Sequence, residues 1–338
     1  MKPLPLQTLA AFCGGTLHGG DPARLASRVT TDSRQVQPGQ VFVALKGDRF
    51  DGQAFVPAVA AAGAAAVVIS EEVPGLPESC AAIRVADTLR ALQRLAHEYR
   101  LWHRPRLIAL TGSNGKTSTK DLSRAVLSRS FRVRATVGNL NNHIGLPLTL
   151  LSLEEGDEIS LTEMGMNHAG EIRELVDIAQ PDDAILTNVG HAHIEYFGSQ
   201  DAIAWEKATL PANISRDGTV VLNAEDAYTP LIARHCQGRV LRAGIDAGEI
   251  RATDLQPDAS GTRFTLHTPA GEATLRLPIP GRHMISNATL AAAIGWARGI
   301  AVADIAAALE EVTLTGGRLQ TRQIRGVDFL DDSYNANP

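Results

Sequence analysis

The sequence predicts an α/β protein: a small N-terminal α/β domain, then a central domain with a mostly parallel, doubly wound sheet and an antiparallel extension. Three observations carry this reading. From Leu107 onward, short apolar runs alternate with helical patterns, the rhythm of strand–helix–strand units. The run 107–110 leads directly into the glycine-rich stretch Thr111-Gly112-Ser113-Asn114-Gly115-Lys116-Thr117-Ser118, which opens a helix. Between Gly218 and Leu277 the pattern changes to short alternating strands separated by turns, as expected of antiparallel pairing.

The elements follow in order. Val41-Phe42-Val43-Ala44-Leu45 reads as a buried strand entered through Pro38-Gly39-Gln40. A helix over 54–62 and a strand over 65–69 complete a small α/β unit. Residues 87–99 form an amphipathic helix, with Leu89, Leu92 and Leu95 at helical spacing. Arg104-Pro105-Arg106 interrupts that pattern as a linker. Beyond it the sequence predicts a strand over 107–110, a helix over 117–128 and buried strands over 158–164 and 184–188. The helix over 170–179 ends near Pro181. Strands over 263–267 and 273–277 are bounded by Asp258-Ala259-Ser260-Gly261 and Pro269-Ala270-Gly271. Helices over 288–297 and 303–311 follow, then Thr315-Gly316-Gly317-Arg318, a short hairpin and a strand over 327–330.

Composition narrows the function. At ~150 residues per domain, 338 residues suggest about two domains. The apolar fraction of 44% and charged fraction of 20% place the chain in the globular range. A net charge of −5 gives no electrostatic support for binding a nucleic-acid backbone. Three scattered cysteines (Cys13, Cys80, Cys236) exclude a disulfide framework and show no metal-ligand spacing. The longest uncharged stretch, 54–69, contains Pro57 and Gly63 and is too short to span a bilayer. The expectation is a cytoplasmic monomer with reduced thiols.

The strongest chemical signal is the stretch from Thr111 to Ser118. Glycines Gly112 and Gly115 let backbone N–H groups approach phosphate oxygens, and the helix start adds the positive end of its dipole. Lys116 is placed to reach the β and γ phosphates, and the Thr117 hydroxyl to ligate Mg²⁺. Leu110 stands where the general P-loop pattern has its first glycine. A kinase, a switch, a motor and a ligase all use such a loop, so the residues that discriminate lie elsewhere.

Four further stretches follow in order: Gly138-Asn139-Leu140-Asn141-Asn142-His143-Ile144-Gly145, Glu163-Met164-Gly165-Met166-Asn167-His168-Ala169-Gly170-Glu171, Thr187-Asn188-Val189-Gly190-His191-Ala192-His193-Ile194-Glu195 and Asp331-Asp332-Ser333-Tyr334-Asn335-Ala336-Asn337-Pro338. With the phosphate loop they resemble the Mur ligase family, in particular the branch that joins D-alanyl-D-alanine to UDP-N-acetylmuramoyl-tripeptide. Thr31-Asp32-Ser33-Arg34, Pro38-Gly39 and Phe50-Asp51-Gly52 are similar to the family's nucleotide-sugar-binding domain. The resemblance implies domains at 1–85 (UDP-sugar binding), 86–314 (ATP-binding P-loop) and 315–338, a stub of a truncated C-terminal Rossmann-like ligase domain. It implies ATP and Mg²⁺ as cofactors, with D-alanyl-D-alanine and the UDP-linked tripeptide as substrates.

The residue roles it implies each have a plainer rival. Thr117 and Glu163 would hold the ATP-bound Mg²⁺, Glu163 against a surface strand cap. His193 would help hold a second Mg²⁺; zinc held with His191 has no third ligand nearby in sequence. Lys207 matches the family's carbamylated lysine, although the chain reads Lys207-Ala208-Thr209-Leu210 where close members have Lys-X-Glu-Ile; a solvated helix lysine is the rival. Asn287, in Gly281-Arg282-His283-Met284-Ile285-Ser286-Asn287-Ala288, matches a residue near adenine, against an N-cap for the Ala-rich helix. Arg318 matches an arginine reaching the ATP phosphates, and Asp332 a ribose-binding aspartate. Ser33 and Arg34 would lie near the uridine diphosphate. Asn139 and Asn142 would shape a substrate loop, against simple turn residues. His168 would contact substrate or cap the following helix. The alternatives are another Mur ligase, a folylpolyglutamate synthetase-like ligase, or a nucleotide-binding fragment without turnover.

Overall fold

A computed structural model describes residues 1–47, 50–316, 320–324, 327–331 and 333. The chain forms two compact units. The first comprises Met1–Pro105, Thr136–Asp157 and Asp177–Ala179; the second comprises Arg106–Ala135, Glu158–Val176 and Gln180–Pro338.

The first unit is built on a five-stranded sheet in the order Thr16–His18, Ala81–Arg84, Ala66–Ile69, Val41–Val43 and Val29–Thr30. The first pair is antiparallel and the others are parallel. Phe42, Val56, Val59, Val67 and Ile69 form its core. The helix expected over 87–99 runs Thr88–His103, capped by Asp87, whose carboxylate accepts from the N–H groups of Leu89 and Arg90. Expectation placed this helix after a boundary at residue 85; its contacts place it in the first unit. The Tyr99 hydroxyl donates to Leu153 O (2.8 Å), and Arg100 Nε donates to Ala179 O (3.0 Å). These partners lie far along the chain and leave no trace in local pattern.

The second unit holds a nine-stranded sheet. Its order is Val133–Ala135, Ile159–Glu163, Arg106–Thr111, Asp183–Leu186, Thr219–Asn223, Arg239–Ile245, Ile250–Asp258, Gly261–Thr268 and Gly271–Leu277. The first seven strands pair in parallel and the last two add antiparallel, as expected. Leu107, Ile108, Ala109 and Leu110 are all fully buried, the continuous apolar run of a strand covered on both faces. Helices Lys116–Leu127 and Arg282–Ala297 pack against each other and join one core with Ile108, Leu110, Phe264 and Leu266.

The helix expected at 288 begins six residues earlier. Gly281 stands at its N-cap, so Asn287 lies within the helix and the N-cap reading is overturned. Met284 and Ile285 are buried in its first turns, and this burial, rather than capping chemistry, sets the start.

Candidate active site

The site grows from the C-terminal end of the central strand Arg106–Thr111, where open parallel sheets bind ligands. The Thr111 hydroxyl donates to Met164 O on the neighbouring chain segment (2.8 Å). At Gly112 a side chain would collide with the Thr187 hydroxyl. Gly115 has φ +76° and is the N-cap of helix Lys116–Leu127; a Cβ there would stand 2.7 Å from Asn287 Oδ1. Both glycines are therefore required by close approach, and the second also by backbone conformation. Asn287 is brought to the phosphate loop.

Lys116 folds back over the loop, its Nζ donating to Gly112 O (2.8 Å) and Ser113 O (3.3 Å). The Thr117 hydroxyl donates to Glu163 Oε2 (3.0 Å), and both side chains are buried. Glu163 is 3% exposed, which overturns the surface-cap reading. Two oxygen donors at the mouth of a phosphate loop fit Mg²⁺, a hard cation that prefers oxygen and keeps waters. Ser118 follows in the same helix turn, also buried.

Lys207 lies in helix Gln200–Ala212 and is 1% exposed, so it is not a solvated lysine. Burial pushes its ammonium well below the ordinary lysine range; Lys116 adds like-charge repulsion, and Glu206 opposes both. His193, at φ +67°, is likewise held below the usual histidine value by burial and by the charges of Lys207 and Lys116. Lys116, His193 and Lys207 thus share one electrostatic neighbourhood. Among the described residues no three His, Cys, Asp or Glu side chains form a ready metal cage.

His168 Nδ1 lies 3.2 Å from Glu171 Oε1, and its ring packs on Tyr196 with centroids 4.7 Å apart. It does not cap the following helix. Glu206 does so, its two oxygens accepting from Gly170 N and Ile172 N (both 2.9 Å). In the first unit, Ser33 opens a short 3-10 turn, and Arg34 forms a two-point pair with Asp32 (2.9 and 2.8 Å). That pair holds the Asp32 carboxyl down at about 2. Asn139 is exposed, and Asn142 Oδ1 accepts from Ile144 N (3.1 Å) and Gly145 N (2.8 Å), fixing the entry to helix Gly145–Leu150. Arg318 and Asp332 lie outside the described residues.

Sequence reasoning missed the residues that grip the loop from behind. Ser113 N donates to Asn188 O (2.9 Å), Asn114 N to Asn188 Oδ1 (3.0 Å), and Gly190 N to Ser113 Oγ (2.8 Å). Thr187 and Asn188 lie in the motif that runs to Glu195, but no local signal shows what they touch.

The pattern of the Mur ligase middle domain matches residues 110–295, and that described as the Mur ligase family, catalytic domain, matches residues 26–100. The chain belongs to the Mur ligase family. It is 42% identical to the UDP-N-acetylmuramoyl-tripeptide–D-alanyl-D-alanine ligase of Bacillus subtilis over 92% of this chain and 67% of that protein. For the ligase of the same name from Escherichia coli the figures are 38%, 100% and 74%. The crystal structure of MurF from Acinetobacter baumannii superposes with a TM-score of 0.93 at 36% identity, covering 99% of this chain and 74% of that one. MurF ligase from Thermotoga maritima in complex with ADP gives 0.83 at 29% identity, covering 92% and 72%. This Mur ligase chain therefore spans about two thirds to three quarters of these relatives.

Proposed function

We propose that this Mur ligase chain catalyses the ATP-dependent joining of D-alanyl-D-alanine to UDP-N-acetylmuramoyl-tripeptide in cytoplasmic peptidoglycan precursor synthesis, acting as a monomer. The observation that carries the reading is the buried Thr117–Glu163 pair at the phosphate loop of a chain whose relatives bear that activity in their names. A carboxylate oxygen of the peptide attacks the γ-phosphorus, ADP leaves, and an acyl phosphate results. The D-alanyl-D-alanine amine then attacks the acyl carbon and loses a proton, and phosphate departs.

The chemistry calls for charge neutralisation and positioning rather than a protein nucleophile. The residues 112–118 cradle the phosphates, and the Lys116 ammonium swings from its loop carbonyls toward the γ-phosphate. Mg²⁺, when bound, neutralises the phosphate oxygens during transfer. Thr117 and Glu163 would hold one ion. His193, whose charged form is disfavoured by burial and by its cationic neighbours, would offer a ring nitrogen to a second. Burial and the Lys116 charge disfavour the ammonium form of Lys207, which suits its amine to add CO₂, forming an N–C bond and releasing one proton. The resulting carbamate would place an oxygen-donor anion where the lysine amine stood. Asn287, Arg318 and Asp332 serve the nucleoside and phosphates; Ser33, Arg34, Asn139, Asn142 and His168 serve the UDP-linked peptide.

Phosphate release measured with a panel of UDP-muramoyl acceptors tests the assignment. Turnover is expected with the tripeptide acceptor and D-alanyl-D-alanine. Turnover with UDP-N-acetylmuramic acid and L-alanine instead would overturn it.

A further inference from the structure

The phosphate loop is held partly from outside itself. Its outer half is gripped by residues 187–190, which are 74 residues away in sequence at the central contact. The Asn188 side chain makes a two-point amide pair with the backbone of Asn114: Oδ1 accepts from Asn114 N (3.0 Å), and Nδ2 donates to Asn114 O (3.0 Å). One backbone donor and one backbone acceptor fix which end of the side-chain amide faces which. The Asn188 carbonyl accepts from Ser113 N (2.9 Å), and the Thr187 hydroxyl donates to Asn114 O (2.6 Å). Gly190 N closes the contact on Ser113 Oγ (2.8 Å). Behind this stretch, Asp226 accepts from Val189 N (2.6 Å), Gln200 donates to Val189 O (2.9 Å), and Asn223 donates to Thr187 O (3.0 Å).

We infer that Asn188, seconded by Thr187, is the positioning residue of the phosphate loop, holding Ser113 and Asn114 turned outward so that the helix start at Gly115 faces the phosphates. The inference rests on the nucleotide-binding reading above. Its logic is an accounting of donors. The N–H groups of Ser113 and Asn114 are spent on Asn188 and are not available to a phosphate. The cradle therefore falls to the start of helix Lys116–Leu127, at the positive end of its dipole. A peptide unit released at Asn114 would be free to rotate, and the start of the helix would lose its fixed approach. Thr187 and Asn188 also lie on the chain stretch that leads to His193.

The test is calorimetric titration of the chain with MgATP and MgADP, at a temperature well below melting, beside an unliganded melt by circular dichroism. Asn188→Ala should weaken both nucleotides at least tenfold, and Thr187→Val about threefold, with both variants folded at the titration temperature. Asn188→Asp keeps the volume and the acceptor toward Asn114 N but loses the donor toward Asn114 O. It should weaken binding at least as much as the alanine variant, and it supplies the test if the alanine variant fails to fold. A lowered melting temperature with nucleotide affinity within twofold of the parent would make Asn188 merely structural and overturn the inference. A parent chain that binds neither nucleotide would overturn the nucleotide reading and this inference together. A parent that binds beside variants that bind equally well would overturn this inference alone.

Discussion

The two ends of the nine-stranded sheet treat charge in opposite ways. Where the strands begin, Asp183 is fully buried and surrounded by cations and donors. Arg106 approaches it with two bonds (2.7 and 3.0 Å), Thr219 N with one (2.8 Å), and Arg298 stands at 3.5 Å. Where the strands end, Lys116, Lys207 and His193 repel one another's charged forms, and burial adds to the repulsion. One end gathers cations around a buried carboxylate; the other gathers cationic groups near one another, with Glu206, Glu195 and Glu171 opposing their repulsion. The same sheet therefore separates a region settled by folding from one that is settled when a polyphosphate arrives.

That contrast is sharpest at Asp183. Asp183→Ala leaves a half-buried Arg298 without its carboxylate and should cost about 3–5 kcal/mol of stability, read from urea unfolding. Nucleotide affinity of the folded fraction should not change. At the opposite end, Lys116→Met should weaken MgATP binding by about 100-fold, or about 2.7 kcal/mol, with little loss of melting temperature. If Lys116→Met instead melts like Asp183→Ala, the two ends do not differ as described. Gly115→Ala forces a side chain into φ +76° and against Asn287, at a cost of about 1–2 kcal/mol. Both a lowered melting temperature and weaker nucleotide binding should register.

The smallest effect carries the opposite sign. The folded pKa of Lys207 is lowered, so between that lowered value and the ordinary lysine value the unfolded chain binds more protons than the folded one, and stability rises with pH through this window. The window extends upward to the ordinary lysine value of 10.5. Lys207→Met should therefore raise the melting temperature near pH 7 in CO₂-free buffer, and its advantage should shrink as pH climbs toward 10. An advantage that grows with pH would contradict the assigned shift.

Much of the second unit was legible because its signals are local. The apolar run before Thr111, the paired glycines, and Glu163 at the end of its strand all declare themselves within a few residues. Asn188 and Glu206 did not, because each acts on backbone groups distant in sequence, Glu206 at 36 and 34 residues. The burial of Lys207 was hidden by its own helix, where Glu206 and Lys207 together look like a solvated face. The start of helix Arg282–Ala297 was misplaced because an alanine-rich run draws attention to its middle, while its first turns are held by Met284 and Ile285. The boundary at residue 85, implied by the resemblance, separates helix Thr88–His103 from the first unit, but partners of that helix lie at His143, Leu153 and Ala179.

Those partners bear on how the chain is made. Synthesis runs from the N-terminus, and domains generally fold as units as they emerge. Helix Thr88–His103 is complete when residue 103 leaves the ribosome, yet the carbonyls of His143, Leu153 and Ala179 that receive Gln93, Tyr99 and Arg100 appear only 40 to 76 residues later. By then the phosphate loop and the strand bearing Glu163 have already been made. The first unit thus waits for residue 179, after parts of the second unit have been made, and its assembly carries the slow signature of long-range closure.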